Sequence, residues 1–127
     1  MCYLKGKSNI IDIKGYTLHP HSLVMEYAEH GDLSKFLLSE KSENMKLMEK
    51  YKIVSDISSA LEVLHQFEPK IIHRDLKSLN VLITSVNPLV CKLGDFETAC
   101  FVNEFASGRS IIDNPIWMAP ELILGTR

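Results

Sequence analysis

The chain has 127 residues, 46% of them hydrophobic and 24% charged, with a formal net charge of −2. That balance describes a globular chain rather than a disordered tail, and so small a charge gives no electrostatic footprint for nucleic acid or an anionic membrane. No apolar run approaches the roughly 18–20 residues needed to span a bilayer, and the N-terminus lacks the basic-then-apolar layout of a signal peptide.

The chain order begins with two short β-rich runs, Asn9 to Gly15 and Ser22 to Tyr27, separated by a turn-like stretch over Thr17, Leu18, His19 and Pro20. They predict an antiparallel pair. His19 and His21 flank Pro20 with no Cys or carboxylate cluster nearby, so they read as loop residues rather than metal ligands. Gly31-Asp32 precedes LSKFLL, where Asp32 is placed to cap a short helix.

The clearest helix is predicted over Lys46 to Phe67. Leu47, Ile53 or Val54, Ile57, Leu61 and Leu64 recur there at spacings that give one broad apolar stripe. Pro69 stops it. Short strands follow at Ile71-Ile72, near Val81 to Thr84 and near Val90 to Leu93, the last two joined through Asn87-Pro88. From Phe96 to Pro115 periodicity disappears, which predicts a long loop of the kind that carries function or disorder. No internal repeat or low-complexity segment is present. Cys2, Cys91 and Cys100 are odd in number and lack CxxC spacing, which argues against a disulfide framework or zinc site and for a reducing, cytoplasmic setting.

Between Ile71-Ile72 and Val81-Leu82-Ile83 the chain places His73, Arg74, Asp75, Lys77, Ser78 and Asn80. A polar loop between two buried strands is held rigidly at the rim of a core, where binding and catalysis concentrate. The loop offers a carboxylate (Asp75), a cation two residues on (Lys77) and an amide three further on (Asn80). A second carboxylate, Asp95, follows the next strand. A carboxylate and an amide oxygen suit Mg²⁺, and a further carboxylate near a cation can take a proton from a hydroxyl nucleophile. Such a set serves phosphoryl transfer, where positioning and charge neutralisation do most of the catalysis.

HRDLKSLN, from His73 to Asn80, resembles the protein-kinase catalytic loop H-R-D-L-x-x-x-N. DFE at Asp95 to Glu97 stands where that family has DFG, and APE at Ala119 to Glu121 matches the motif that ends its activation segment. Lys77 is similar to serine/threonine kinases, and HRDLKSLNVLI followed by WMAPE most resembles the tyrosine-kinase-like group, whose members act mainly on Ser and Thr.

The resemblance implies an α+β kinase-like fold seen in part. The end of the small lobe (two strands and hinge) would occupy residues 1–27, and the first half of the mainly helical large lobe, up to APE, residues 28–127. It implies ATP and Mg²⁺ as nucleotide and cofactor and a protein as substrate. Asp75 is then the catalytic base, Lys77 neutralises the transferred phosphate, and Asn80 and Asp95 hold Mg²⁺. In LVMEYAEHGDL, Met25 is the gatekeeper, the backbones of Glu26 and Ala28 meet the adenine edge, and Asp32 meets the ribose. Leu82 is the apolar floor beneath the base. Because the hinge contacts are main-chain, the side chains of Glu26 and Ala28 carry no information in this reading. Ile13, His73 and Phe96 stack as an internal spine.

The departures define a second reading. No Gly-rich loop, strand lysine or helix glutamate of the family is found before Asn9, and Lys5, Lys7 and Lys14 do not sit in a V-A-I-K-like strand. Glu97 replaces the motif glycine, Asn114 stands where a Thr is usual, and Glu121 is expected to lack the later-helix arginine it pairs with in the family. These features point to a pseudokinase or truncated interaction module. One face of the long helix and the first two strands are expected to lack neighbours, which predicts low stability for the isolated chain and a partner protein over the exposed large-lobe face. Thr98, Ser107 and Ser110 are candidate phosphorylation sites whose phosphate would pair with Arg74.

Overall fold

A computed structural model describes residues 2–105 and 115–124 of the chain. After a 3₁₀ turn at Cys2–Leu4 come β1 (Ile13–Leu18) and β2 (His21–Met25). Three helices follow: α1 (Leu33–Leu37), α2 (Glu40–Glu43) and α3 (Leu47–His65). The polar-loop region runs from β3 (Ile71–Ile72) through a 3₁₀ turn at Ser78–Asn80 into β4 (Val81–Val86) and β5 (Leu89–Leu93). The remaining elements are β6 (Cys100–Phe101), α4 (Val102–Phe105), a 3₁₀ turn at Pro115–Trp117 and α5 (Pro120–Ile123).

The strands form three antiparallel pairs, β1–β2, β3–β6 and β4–β5. The first hairpin is shifted along the chain from its predicted place. Tyr16, Thr17 and Leu18 continue the strand to pair with Leu23, Ser22 and His21, so the turn narrows to His19-Pro20. Asn9 to Ile11 belong instead to the edge of β5: Ile11 N–H donates to the Leu93 carbonyl at 2.9 Å and Leu93 N–H to the Asn9 carbonyl at 2.8 Å. The Asn9 side-chain amide adds a bond to the Cys91 carbonyl at 2.9 Å.

On the other edge, His30 N–H donates to the Ile83 carbonyl at 3.1 Å and Ile83 N–H to the Gly31 carbonyl at 2.8 Å. Gly31 turns the chain here with φ +71, a conformation open to glycine at no steric cost. The β4–β5 hairpin is therefore the hub, paired on both sides with segments far away in sequence.

Burial follows from that arrangement. Ile10, Val81, Ile83, Cys91, Leu93, Ala60 and Leu64 are almost wholly shielded, with α3 packed across β5. Asp32 caps α1 as its sequence position predicts, accepting the Lys35 N–H at 2.9 Å. Helix α3 starts at Leu47, where the Glu49 side chain reaches back to accept the Lys46 N–H at 2.7 Å.

The predicted stripe needs correction at Leu47, which is 66% exposed; of the alternatives Ile53 and Val54 it is Ile53 that turns inward, Val54 being 62% exposed, and the buried face runs through Ile53, Asp56, Ala60 and Leu64. Asp56 lies inward because its Oδ2 accepts the buried Cys91 N–H at 3.0 Å while Oδ1 meets Lys52 Nζ at 2.5 Å. The predicted loop after Phe96 contains β6 and α4, with Ile71 and Ile72 paired to Phe101 and Cys100. Val102 N–H closes that pair on the Lys70 carbonyl at 2.8 Å.

Candidate active site

A cleft of about 560 Å³ lies between the two hairpins. Its apolar lining is made by Ile11, Ile13, Leu23, Met25, Leu79 and Leu82. Asn80, Asp95, Phe96 and Glu97 line its remaining part. Of the residues singled out from sequence, Met25, Leu82, Asn80 and Asp95 thus share one cavity. Glu26, Ala28 and Asp32 lie outside its lining; Asp75 joins it through its bonds to Asn80, and Lys77 through its bond to Asp75.

Leu82 reaches the cleft because residue 94 is glycine. A Cβ at Gly94 would stand 3.0 Å from Leu82 Cδ1 and 3.4 Å from Ile11 Cγ2, so any larger residue pushes against the floor.

The polar loop is organised around Asp75. Its Oδ2 accepts from Lys77 Nζ at 2.5 Å and from Asn80 Nδ2 at 2.9 Å, and its carbonyl accepts a second bond from the same amide at 2.8 Å. Burial pushes the Asp75 carboxyl up, but the Lys77 and Asn80 hydrogen bonds and the Lys77 charge outweigh it. The pKa lies below the ordinary value of 3.8. The carboxylate is ionised at neutral pH, as a proton acceptor must be.

Because Nδ2 of Asn80 is committed to Asp75, Oδ1 is the atom this side chain can offer a cation. Asn80 accepts the Gly94 N–H on its own carbonyl at 2.8 Å, which brings the residue before Asp95 directly against it. One amide oxygen and one carboxylate suit Mg²⁺, which keeps several waters and is held mainly by substrate phosphates. Among the described residues, no cluster of three or more His, Cys, Asp or Glu forms a metal cage.

His73 supports the loop from beneath. It is 3% exposed, its Nε2 donates to the Gly94 carbonyl at 2.9 Å, and its Nδ1 accepts the Asp75 N–H at 3.3 Å. Both bonds fit one neutral tautomer. Its ring meets Phe96 edge-on with centroids 4.9 Å apart, while Ile13 shares the cleft lining with Phe96. Burial lowers the His73 pKa below 6.5, against the bond to Gly94 and the charges of Asp75 and Asp95.

The unfolded chain therefore takes up this proton first on acidification, and stability falls as pH drops below about 6.5. Urea midpoints at pH 7.5 and 5.5 are expected to show that loss, and His73→Phe to reduce it. An equal pH dependence in both proteins would contradict the assignment.

Three further residues adopt left-handed backbone: Asn9 (φ 59), Arg74 (φ 69) and Asp95 (φ 55). Two of them flank the site, where unfavourable backbone is held by surrounding bonds. Arg74 Nε donates to the Thr98 carbonyl, and the Thr98 hydroxyl donates to the His73 carbonyl at 3.0 Å. Thr98 thus ties the segment after Asp95 to the polar loop. Ser107, Ser110 and Asn114 lie outside the described residues.

Two long-range contacts escape sequence reasoning. Asp56 reads there as one more charged residue on a helix. The Glu26 side chain, taken to be uninformative, is bound by Lys92 Nζ at 2.7 Å to both of its oxygens. A Lys-Glu pair 66 residues apart has no local signature.

The protein kinase domain family model matches residues 2–127. The probable serine/threonine-protein kinase roco8 of Dictyostelium discoideum is 39% identical over 125 residues, covering 93% of this chain and 7% of that protein. The probable serine/threonine-protein kinase roco5 of the same organism is 42% identical over 119 residues, covering 92% of the chain and 4% of the relative. The cyclic GMP-binding protein C, also from Dictyostelium discoideum, is 32% identical over 129 residues, covering 98% and 5%. The chain thus spans less than a tenth of the length of these relatives. With its polar loop braced between β3 and β4 and a matching model along nearly its whole length, the chain belongs to the protein kinase domain family.

Proposed function

We propose that this domain transfers the γ-phosphate of ATP to Ser or Thr hydroxyls of protein substrates. The observation that carries the reading is Asp75 held by Lys77 and Asn80, with Asn80 lining the same cleft as Asp95. Leu82 would form the floor beneath the adenine and Met25 would stand as gatekeeper in the same cleft. The Glu26 N–H is bonded to the Asp12 carbonyl at 2.7 Å and the Ala28 carbonyl accepts from Gly31 at 3.1 Å. That leaves an acceptor on Glu26 and a donor on Ala28 for the base edge. Asp32, already capping α1, would meet the ribose with its remaining lone pairs.

Mg²⁺ held by Asn80 Oδ1 and Asp95 would neutralise phosphate charge. Asp75 would orient the substrate hydroxyl. As oxygen bonds to the γ-phosphorus and the bond to the ADP oxygen breaks, the hydroxyl proton passes to Asp75 and Lys77 faces the transferred phosphoryl group. The setting proposed is the cytoplasm, where Cys91 and Cys100 stay as thiols; burial first, with the Asp56 charge, raises the Cys91 thiol to about 11. A partner protein is proposed over the α3 face where Leu47, Tyr51 and Val54 are 66%, 61% and 62% exposed.

Incubation with Mg²⁺ and γ-labelled ATP tests the activity. Label is expected on Ser or Thr of a generic protein substrate, and its absence at all substrate concentrations would contradict the proposal.

One observation favours the second reading, a kinase-like module without catalysis: Glu97 lines the cleft beside Asp95. A carboxylate there repels phosphate through Coulomb interaction. Glu97→Gly is expected to tighten ATP binding severalfold at low ionic strength, with the gain shrinking as salt is added. Unchanged affinity would mean that Glu97 points away from the nucleotide.

A further inference from the structure

We propose that His19 and His21, at the tip of the β1–β2 hairpin, hold a borderline divalent cation of the Zn²⁺ type through their two imidazoles. The proposal does not depend on phosphate transfer, and it concerns a cation of a different class from Mg²⁺.

In sequence the two read as loop histidines, because no Cys or carboxylate cluster stands near them. Folding adds their placement. The register pairs Thr17 with Ser22 and Leu18 with His21, so only His19 and Pro20 form the turn. The Thr17 hydroxyl donates to the Pro20 carbonyl at 2.5 Å and pins that turn. Both histidines are exposed, and their ring centroids lie 6.0 Å apart with the planes inclined at 44°. Among the described residues, no hydrogen bond occupies either ring.

The spacing suits a shared ion. Zinc takes imidazole nitrogen at about 2.0–2.1 Å, which puts each ring centroid about 3 Å from the metal and two such centroids about 5–6 Å apart. The observed separation falls at the upper end of that range, so the rings need little movement to close on a cation. A pinned turn also loses less freedom on binding. Imidazole suits Zn²⁺, Cu²⁺ and Ni²⁺, whereas Mg²⁺ takes oxygen. Among the described residues no third His, Cys, Asp or Glu completes a cluster, so water fills the other positions and the ion stays exchangeable. The tip is also separate from the cleft. Ile13 and Met25, which line the cleft, pair at the other end of the hairpin, about 17 Å away at about 3.3 Å per residue.

Titration of Zn²⁺ into the full chain tests this, with the histidine rings followed by NMR. Protons compete with the metal for ring nitrogen, so the titration is run at pH 7.5. The His19 and His21 ring signals are expected to shift together, with one Zn²⁺ per chain. His19→Gln and His21→Gln should each weaken that binding about 100-fold, because a lone imidazole lacks the second, intramolecular attachment. His65→Gln removes an exposed histidine elsewhere and should leave the affinity unchanged. Mg²⁺ should leave both rings unperturbed. Unchanged amide signals along β4–β5 serve as the control for folding. A shift of only one of the two rings, or a loss below about threefold in either variant, would overturn the paired site. Zn²⁺ taken up by thiols with both rings undisturbed would overturn it as well. Neither result bears on the kinase reading, which ATP binding in the cleft tests separately.

Discussion

Asp75→Ala is expected to lower kcat for phosphate transfer about 10³-fold while leaving the KM for ATP within about twofold. Asp75 does not line the apolar cleft, so the adenine walls remain. The substitution also spares the backbone carbonyl of residue 75, to which Asn80 Nδ2 donates at 2.8 Å, so the amide keeps one of its two anchors. What disappears is the ionised acceptor and the counter-charge that holds Lys77 at 2.5 Å. Both matter only as the hydroxyl is deprotonated and charge redistributes. Steady-state kinetics with the purified variant decide the point: a variant retaining more than about a tenth of the rate would remove Asp75 from the role of base.

The largest effect on stability is expected at Asp56. Asp56→Ala leaves the Cys91 N–H without its acceptor inside a strand where Cys91 is fully buried. An unsatisfied buried donor costs about 2 kcal/mol, and in a domain of this size that lowers Tm by about 8–10 °C. The ion pair with Lys52 adds little, because the Lys52 side chain is 46% exposed and its charge is screened. Asp56→Asn should therefore behave differently. It keeps an oxygen for Cys91 but turns an NH2 donor toward Lys52, whose exposed side chain can swing into solvent, so the loss is expected to be smaller than in Asp56→Ala. Thermal melts of the two variants separate the contributions, and equal shifts would mean that charge rather than the hydrogen bond holds α3 to β5.

The parts of this fold that the sequence states openly are those fixed by local chemistry. Asp32 caps α1, α3 carries a helical apolar period, and β4 and β5 flank Asn87-Pro88, each dictated by neighbours within a few residues. The polar loop was legible for a different reason: five residue types at fixed spacing between two apolar strands leave few chemical readings. Non-local pairing was not legible. Asn9 to Ile11 have β-rich character that suits a hairpin, yet their hydrogen bonds go to Leu93, some 80 residues away. The same holds for Asp56 with Cys91 and for Glu26 with Lys92, since a charged residue on a helix or hinge looks solvated until its distant partner is known. Leu47 and Val54 show the converse, apolar residues at stripe spacing that stay exposed because α3 is covered on one side only among the described residues.

Calorimetric titration of ATP into the full chain, with and without Mg²⁺, tests the central claim that the cleft between the hairpins is a metal–nucleotide site. Binding is expected to be tighter with Mg²⁺, to lose that dependence in Asp95→Ala, and to weaken without losing it when Leu82→Ala removes the apolar floor. ATP binding that ignores both Mg²⁺ and Asp95, or no binding at all, would contradict the claim.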